Sequence, residues 1–172
     1  MDSIQPPSSP HPKQAFNSFQ QLVQNKWKFG IFMFSKLPSA WMSGVRVRKI
    51  DAAHAVVSVP FKWLTQNPFR STYFACQAMA AEMSTGLLAM GHLHKRQPAV
   101  SMLVTKLEAS YFKKATERIY FTCNDGEAIL KTIENAIASG QGQSIHATSI
   151  GKNKMDEIVS EFRIEWSFKA RK

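Results

Sequence analysis

The stretch Tyr73-Phe74-Ala75-Cys76-Gln77-Ala78-Met79-Ala80-Ala81-Glu82-Met83-Ser84-Thr85-Gly86-Leu87-Leu88-Ala89-Met90-Gly91 decides the fold. It is apolar on nearly every side of a helical projection and carries one charged side chain, Glu82, at its middle. A membrane span needs about 20 consecutive apolar residues and tolerates a central carboxylate poorly. Gln77, Ser84 and Thr85 add further polar groups, and no second hydrophobic segment accompanies the stretch. The reading is a helix buried in the core of a domain. The turn signal Asn67-Pro68 precedes it, and Ser71 or Thr72 is placed to cap it.

Outward from this helix the apolar period changes from helical to alternating. Val45 and Val47 alternate with Arg46 and Arg48, then Ala55, Val57 and Val59 lead to Pro60, so a hairpin turns at Asp51, Ala52 and Ala53. Beyond the helix, Val100 to Lys113 and Arg118 to Cys123 read as strands. Asp125 opens an extra helix with Ile129, Leu130, Ile133 and Ile137 on one face, and Gly140 stops it. Ser144 to Gly151 is a further strand, and in the last one Ile158, Phe162, Ile164, Trp166 and Phe168 share one parity while Val159, Glu161, Arg163 and Glu165 share the other. At the other end Phe16, Phe19, Val23, Trp27, Ile31 and Phe34 recur at helical spacing. This predicts an N-terminal amphipathic helix over 14–36, with Gly30 its weak point and Pro38 its stop. Such a stripe most often packs on its own domain; contact with an acidic membrane surface through Gln14 to Lys36 is the alternative. The element order is not a βαβ alternation, so the fold class is α+β: an antiparallel sheet around one central helix.

Bulk properties agree with one domain. The chain has 172 residues, 44% hydrophobic and 20% charged, the composition of a globular protein. Residues 1–13, rich in proline and serine with no apolar run, form a disordered tail in this reading and resemble no secretory signal. A single domain over 14–172 and a cytoplasmic location are the resulting expectations. The net charge of +10 favours anionic partners, but no zinc-finger spacing, RNA-recognition aromatics or basic zipper accompanies it, so nucleic acid is not the expected partner. Cys76 and Cys123 have no ligand-like spacing, and His92 with His94 reads as a solvated loop, not a metal site. His54 and His146 read as strand residues.

Chemistry concentrates on the central helix. Ala75, Ala78, Gly86 and Ala89 lie within about 40° of Glu82 on a 100° projection, a face suited to close approach by another backbone. Glu82 is either satisfied by a cation or by backbone donors, or is a general base or nucleophile whose pKa is raised in a dry cleft. The amides near Tyr73, Phe74 and Ala75 lack intrahelical acceptors and suit an oxyanion. Phe74 and Glu82 are about 12 Å apart along the axis, too far to serve one carbonyl group. Two chains related by a two-fold axis, their helices antiparallel, would complete two sites.

The segment Asn67-Pro68-Phe69-Arg70-Ser71-Thr72-Tyr73-Phe74-Ala75-Cys76-Gln77-Ala78-Met79-Ala80-Ala81-Glu82-Met83 resembles the hotdog acyl-CoA thioesterases, in particular the phenylacetate-pathway type, and the likeness spans roughly Ser39 to Phe168. In that family a loop asparagine precedes the helix, a His-Gly pair opens it and an acidic residue follows two turns later. Asn67 and Glu82 match the first and last of these, while Tyr73 and Phe74 stand where His and Gly are usual. The resemblance implies a hotdog fold, a homodimer or dimer of dimers, hydrolysis of an acyl thioester with Glu82 as base or nucleophile, and no cofactor beyond coenzyme A as part of the substrate. Coenzyme A phosphates would call on Arg70, Lys113, Lys114, Arg118 and Lys152, and Gln77 is counted with them among the substrate-binding residues. The loss of the His-Gly pair leaves a non-catalytic acyl-binding module as the alternative.

Overall fold

The computed structural model describes residues 12–171; the expected tail is confined almost wholly to residues outside these. Helices α1 (Pro12–Gln24), α2 (Lys26–Lys36) and α3 (Pro38–Met42) lead into the hairpin β1 (Arg46–Ile50) and β2 (Ala55–Val59). A short 3-10 turn precedes the central helix α4 (Phe74–Leu93), followed by β3 (Val100–Tyr111), β4 (Ile119–Cys123), α5 (Gly126–Ser139), β5 (Gln143–Lys152) and β6 (Ile158–Ala170). The strands form one six-stranded sheet in the order β1-β2-β4-β5-β6-β3, every neighbouring pair antiparallel. The sheet curls around α4, which is the hotdog arrangement.

The alternating strand patterns exist because one face of the sheet meets α4. Val57 and Val59 on β2, Ile119 and Phe121 on β4, and Phe162, Ile164, Trp166 and Phe168 on β6 are all buried. On the helix side Ala80, Ala81, Leu87, Leu88 and Ala89 are buried with them. Cys76 and Cys123 are buried free thiols.

Polar contacts fix the roll of α4 on this apolar bed. Gln77 Nε2 donates to the Thr72 carbonyl at 3.2 Å while its Oε1 accepts from Ser160 of β6 at 2.9 Å. Ser84 and Ser149 of β5 share a hydrogen bond of 2.7 Å, and Trp166 Nε1 of β6 donates to Thr85 at 2.9 Å. Gln77 and Ser84 are seven residues apart, hence within about 20° of one another on the helix, and Glu82 lies about 140 to 160° away from them.

Four local expectations are corrected. The N-terminal helix over 14–36 is two helices, divided at Asn25 and not at Gly30, because Asn25 Oδ1 accepts from Lys28 N at 3.0 Å and so caps α2. Its stripe is divided as well: Phe16, Phe19 and Val23 are buried, whereas Trp27, Ile31 and Phe34 are exposed. The residue capping α4 is Tyr73, with no side-chain bond, since the Thr72 hydroxyl and amide both reach the Ala115 carbonyl, at 3.0 and 2.7 Å. Asp125 stands at the start of α5 but its carboxylate accepts from Thr148 N at 2.7 Å instead of capping its own helix.

A buried hydroxyl pair is costly to break on one side only. Ser84→Ala and Ser149→Ala should each destabilise the fold by about 1–3 kcal/mol, and the double variant should cost less than their sum. Urea unfolding of the four proteins measures this coupling; strict additivity would mean that the two hydroxyls do not interact.

Candidate active site

Separate cavities lie at the start of α4 and beside Glu82. One, of about 350 Å³, opens at the helix start and is lined by Asn67, Phe74, Gln77, Tyr111, Lys113 and Lys114, among others. Five residues singled out from the sequence therefore meet there. The other, of about 200 Å³, is walled by Glu82 with Met79 and Met83 on one side and by the elbow Lys36 to Ala40 between α2 and α3 on the other. That elbow carries no sequence signal beyond Pro38, and it reaches Glu82 only through the tertiary fold.

At the helix start, Asn67 organises the loop. Its Oδ1 accepts from the amides of Phe69 and Ser71 at 3.0 and 3.1 Å and from the Ser71 hydroxyl at 3.2 Å. With the oxygen committed to these donors, the amide nitrogen is the end left for a ligand. Among the helix-start amides, Tyr73 N is already bonded to the Thr65 carbonyl at 2.7 Å. The amides of Phe74 and Ala75 make no hydrogen bond among the described residues, so they alone remain as oxyanion donors. The Tyr73 and Phe74 rings pack edge to face at 4.7 Å, both well exposed.

Glu82 is half-buried, and among the described residues its carboxylate has neither an ion pair nor a side-chain hydrogen bond. Burial raises its pKa above the ordinary value of 4.5. The small-residue face around it is filled within the chain at one end. A Cβ at Gly86 would lie 3.2 Å from both Glu82 Oε1 and the Trp166 ring, so a side chain at this position would crowd both neighbours. Ala89 is fully buried in the same chain. Close approach at Gly86 is thus made by a side chain of β6, while Ala75 and Ala78, nearer the helix start, stay half-buried.

The basic residues disperse. Lys113 is paired with Glu157, and Lys152 with Asp156 at 3.0 Å. Arg118 reaches Ser58, which Arg48 also contacts at 2.7 Å, on the hairpin side of the sheet. Arg70 is exposed in the loop before α4 with a positive φ of 57°. Lys114 is exposed at the cleft wall without an ion pair among the described residues.

His92 and His54 also differ from expectation, while His146 is a strand residue as read. His92 is not in a solvated loop: it ends α4, buried against Phe16 with ring centroids 4.8 Å apart, and its Nε2 bonds the Ala52 carbonyl at 3.0 Å. Burial holds its pKa below the ordinary value. His54 sits in the turn before β2, bonded to Asp51, and His146 lies within β5.

With this geometry in view, the family described as Domain of unknown function (DUF4442) matches residues 25–167. The chain belongs to this family. The match begins at Asn25, the cap of α2, so it takes in the elbow that walls the Glu82 cavity. No curated protein matches the sequence. Among solved structures, a Chlorobaculum tepidum protein of unknown function is similar, at 16% identity over 95% of this chain and 99% of its own, with a TM-score of 0.71. A Pseudomonas aeruginosa protein bearing the words "Probable Thioesterase" is 15% identical over 90% of this chain and 95% of its own, TM-score 0.69. A thioesterase of Haemophilus influenzae is 11% identical, covering 90% of each chain, TM-score 0.56. These likenesses establish that this DUF4442 chain has the hotdog fold.

The raised Glu82 pKa has a thermodynamic consequence. A carboxyl whose pKa is higher folded than unfolded weakens the fold once it must ionise, so its contribution is lost as pH rises through the folded pKa. Glu82→Gln should therefore match the parent at pH below the ordinary carboxylate range and be the more stable protein at neutral pH. Thermal unfolding from acid to neutral pH tests this; identical curves at every pH would show that the carboxyl is not desolvated.

Proposed function

We propose that this protein is a thioester hydrolase acting on acyl-CoA, with each site shared between two copies of the chain. The observation carrying the reading is Glu82: a half-buried carboxylate on the wall of a cavity, with no ion pair or side-chain hydrogen bond among the described residues. Natural cores pair or neutralise such groups, and where they do not, the group is commonly chemical in purpose. Solved proteins of the same fold that are described as thioesterases support this reaction class.

In the proposed reaction the acyl carbonyl oxygen rests on the amides of Phe74 and Ala75, with the Asn67 amide nitrogen beside it. Glu82 of the second copy takes a proton from water as the water oxygen attacks the carbonyl carbon. Negative charge moves to the carbonyl oxygen, where the two amides stabilise it. Collapse of the tetrahedral intermediate breaks the C–S bond, and the proton on Glu82 passes to the departing thiolate, restoring the carboxylate. The elevated pKa brings Glu82 closer to neutrality and makes it the stronger base. Coenzyme A phosphates would meet Lys114 and Arg70, the cations nearest the helix start that form no ion pair within the described chain.

Pairing of two copies is supported by β3. It ends the sheet, runs from Val100 to Tyr111, and bonds only to β6. Leu103, Leu107 and Tyr111 lie exposed along it, the bulge between Val104 and Lys106 placing Leu103 on the other face from Leu107 and Tyr111. A long apolar edge invites a further strand. Antiparallel pairing of two β3 edges would set the two α4 helices antiparallel and bring Glu82 of each toward the other's helix start.

A second reading, an acyl-binding module without turnover, is favoured by one observation: the Phe74 side chain itself lines the helix-start cleft. Hydrolysis of an acyl-CoA panel separates the readings. Turnover should fall about 100-fold or more in Glu82→Gln, and mixing inactive Glu82→Gln with inactive Asn67→Ala should restore about a quarter of wild-type sites by subunit exchange. Binding without hydrolysis in the wild type would favour the module; equal rates in wild type and Glu82→Gln would remove the carboxylate from the chemistry.

A further inference from the structure

Helix α2 has two apolar faces, and the fold uses one. Phe29, Phe32 and Met33 point to the domain, with Met33 buried and both phenylalanines packed against the core. Trp27, Ile31 and Phe34, at i, i+4 and i+7, form a second stripe on the opposite side and are 86%, 67% and 60% exposed. Past the helix end, Leu37 and Met42 are exposed as well. Scattered apolar residues on a surface are ordinary, but a contiguous ridge of large ones around a tryptophan marks a contact surface.

Charge identifies the partner. Between Asp2 and Asp51 the chain has no acidic residue, while Lys13, Lys26, Lys28, Lys36, Arg46, Arg48 and Lys49 fall in this interval. Lys26 and Lys28 stand at about 100° to either side of Trp27, flanking the ridge, and both are exposed without an ion pair among the described residues. Long basic side chains beside an apolar ridge can rise to lipid phosphates while the ridge enters the acyl boundary. Among the described residues no helix is long and apolar enough to cross a membrane, so the contact is with the surface only.

We infer that the outer face of α2, with Leu37 and Met42, docks onto an anionic phospholipid bilayer. Its place in the molecule gives this a use: Lys36 and Leu37, at the end of the ridge, also wall the Glu82 cavity. Docking would bring that cavity to the lipid surface, where long-chain acyl thioesters partition; this last clause rests on the hydrolase reading, and the docking does not.

Sedimentation of the full chain with vesicles tests the docking alone. Phosphatidylcholine vesicles containing about one third phosphatidylserine should bind the protein, and pure phosphatidylcholine far less. Replacing Trp27, Ile31 and Phe34 together by serine should reduce binding at least about tenfold. Lys26→Glu with Lys28→Glu, which leaves the ridge intact, should reduce it by about fivefold or more per lysine and blunt its salt sensitivity. Hydrolysis of a short, water-soluble acyl-CoA should be unchanged in both variants, so loss of docking and loss of chemistry register separately. Equal binding to neutral and anionic vesicles overturns the proposal. So does a fall in molecular mass caused by the serine variant with no change in vesicle binding, which would make the ridge a contact between copies of the chain.

Discussion

The roll of α4 about its own axis is the constraint on which the site depends, and three hydrogen-bonded contacts set it. Apolar packing alone would leave the roll loosely defined, because alanine, leucine and methionine cover most of the circumference and a rotated helix would bury nearly as much carbon. Gln77 to Ser160, Ser84 to Ser149 and Thr85 to Trp166 remove that freedom, since a rotated helix would leave buried donors and acceptors unpaired. With Gln77 and Ser84 facing the sheet, Glu82 is turned to the opposite side. The carboxylate is exposed to a cavity as a consequence of where the helix is held.

Holding it there works against stability. The carboxyl is half removed from water with no ion pair among the described residues to offset the loss, and Met79 and Met83 wall the cavity beside it. A side chain at Gly86 would crowd the carboxylate from one side and the Trp166 ring from the other. An arrangement selected for stability alone would carry a neutral residue at this place, as the amides and hydroxyls one turn away do.

Much of this was legible in the sequence, for a definable reason. The strands alternate because only one face of the sheet is buried, and the central helix lacks a polar face because it is enclosed. Glu82 stood out as the only charge in that helix. Asn67, Phe74 and Gln77, near one another in sequence, line one cavity, since a turn followed by the first turn of a helix leaves little choice. What escaped was non-local or rested on single atoms. The elbow Lys36 to Ala40 reaches Glu82 through packing that no periodicity encodes. The break at Asn25 depends on one amide oxygen, while the apolar spacing runs across it unchanged. In α2 both Phe29, Phe32 and Met33 and Trp27, Ile31 and Phe34 satisfy helical periodicity, so the sequence alone could not say which set would meet the core.

The two cavities meet the same limit from the side of geometry. A straight helix rises about 1.5 Å per residue, so the donor N–H groups of its first amides and a carboxylate eight residues later are separated by about 12 Å whatever the surrounding side chains do. Rotamers cannot close that gap: a glutamate side chain extends only about 4 to 5 Å beyond its backbone. Within one chain, then, the helix-start amides and Glu82 act on different atoms. Under the hydrolase reading this separation ceases to be a defect once two helices run antiparallel, because the same eight-residue offset that parts the groups in one copy aligns each with its complement in the other. The long uncovered edge of β3 and the half-buried Ala75 and Ala78 near the helix start lie on the elements such a pairing would use, whereas the end of the small-residue face already filled by Trp166 is the end it would leave alone.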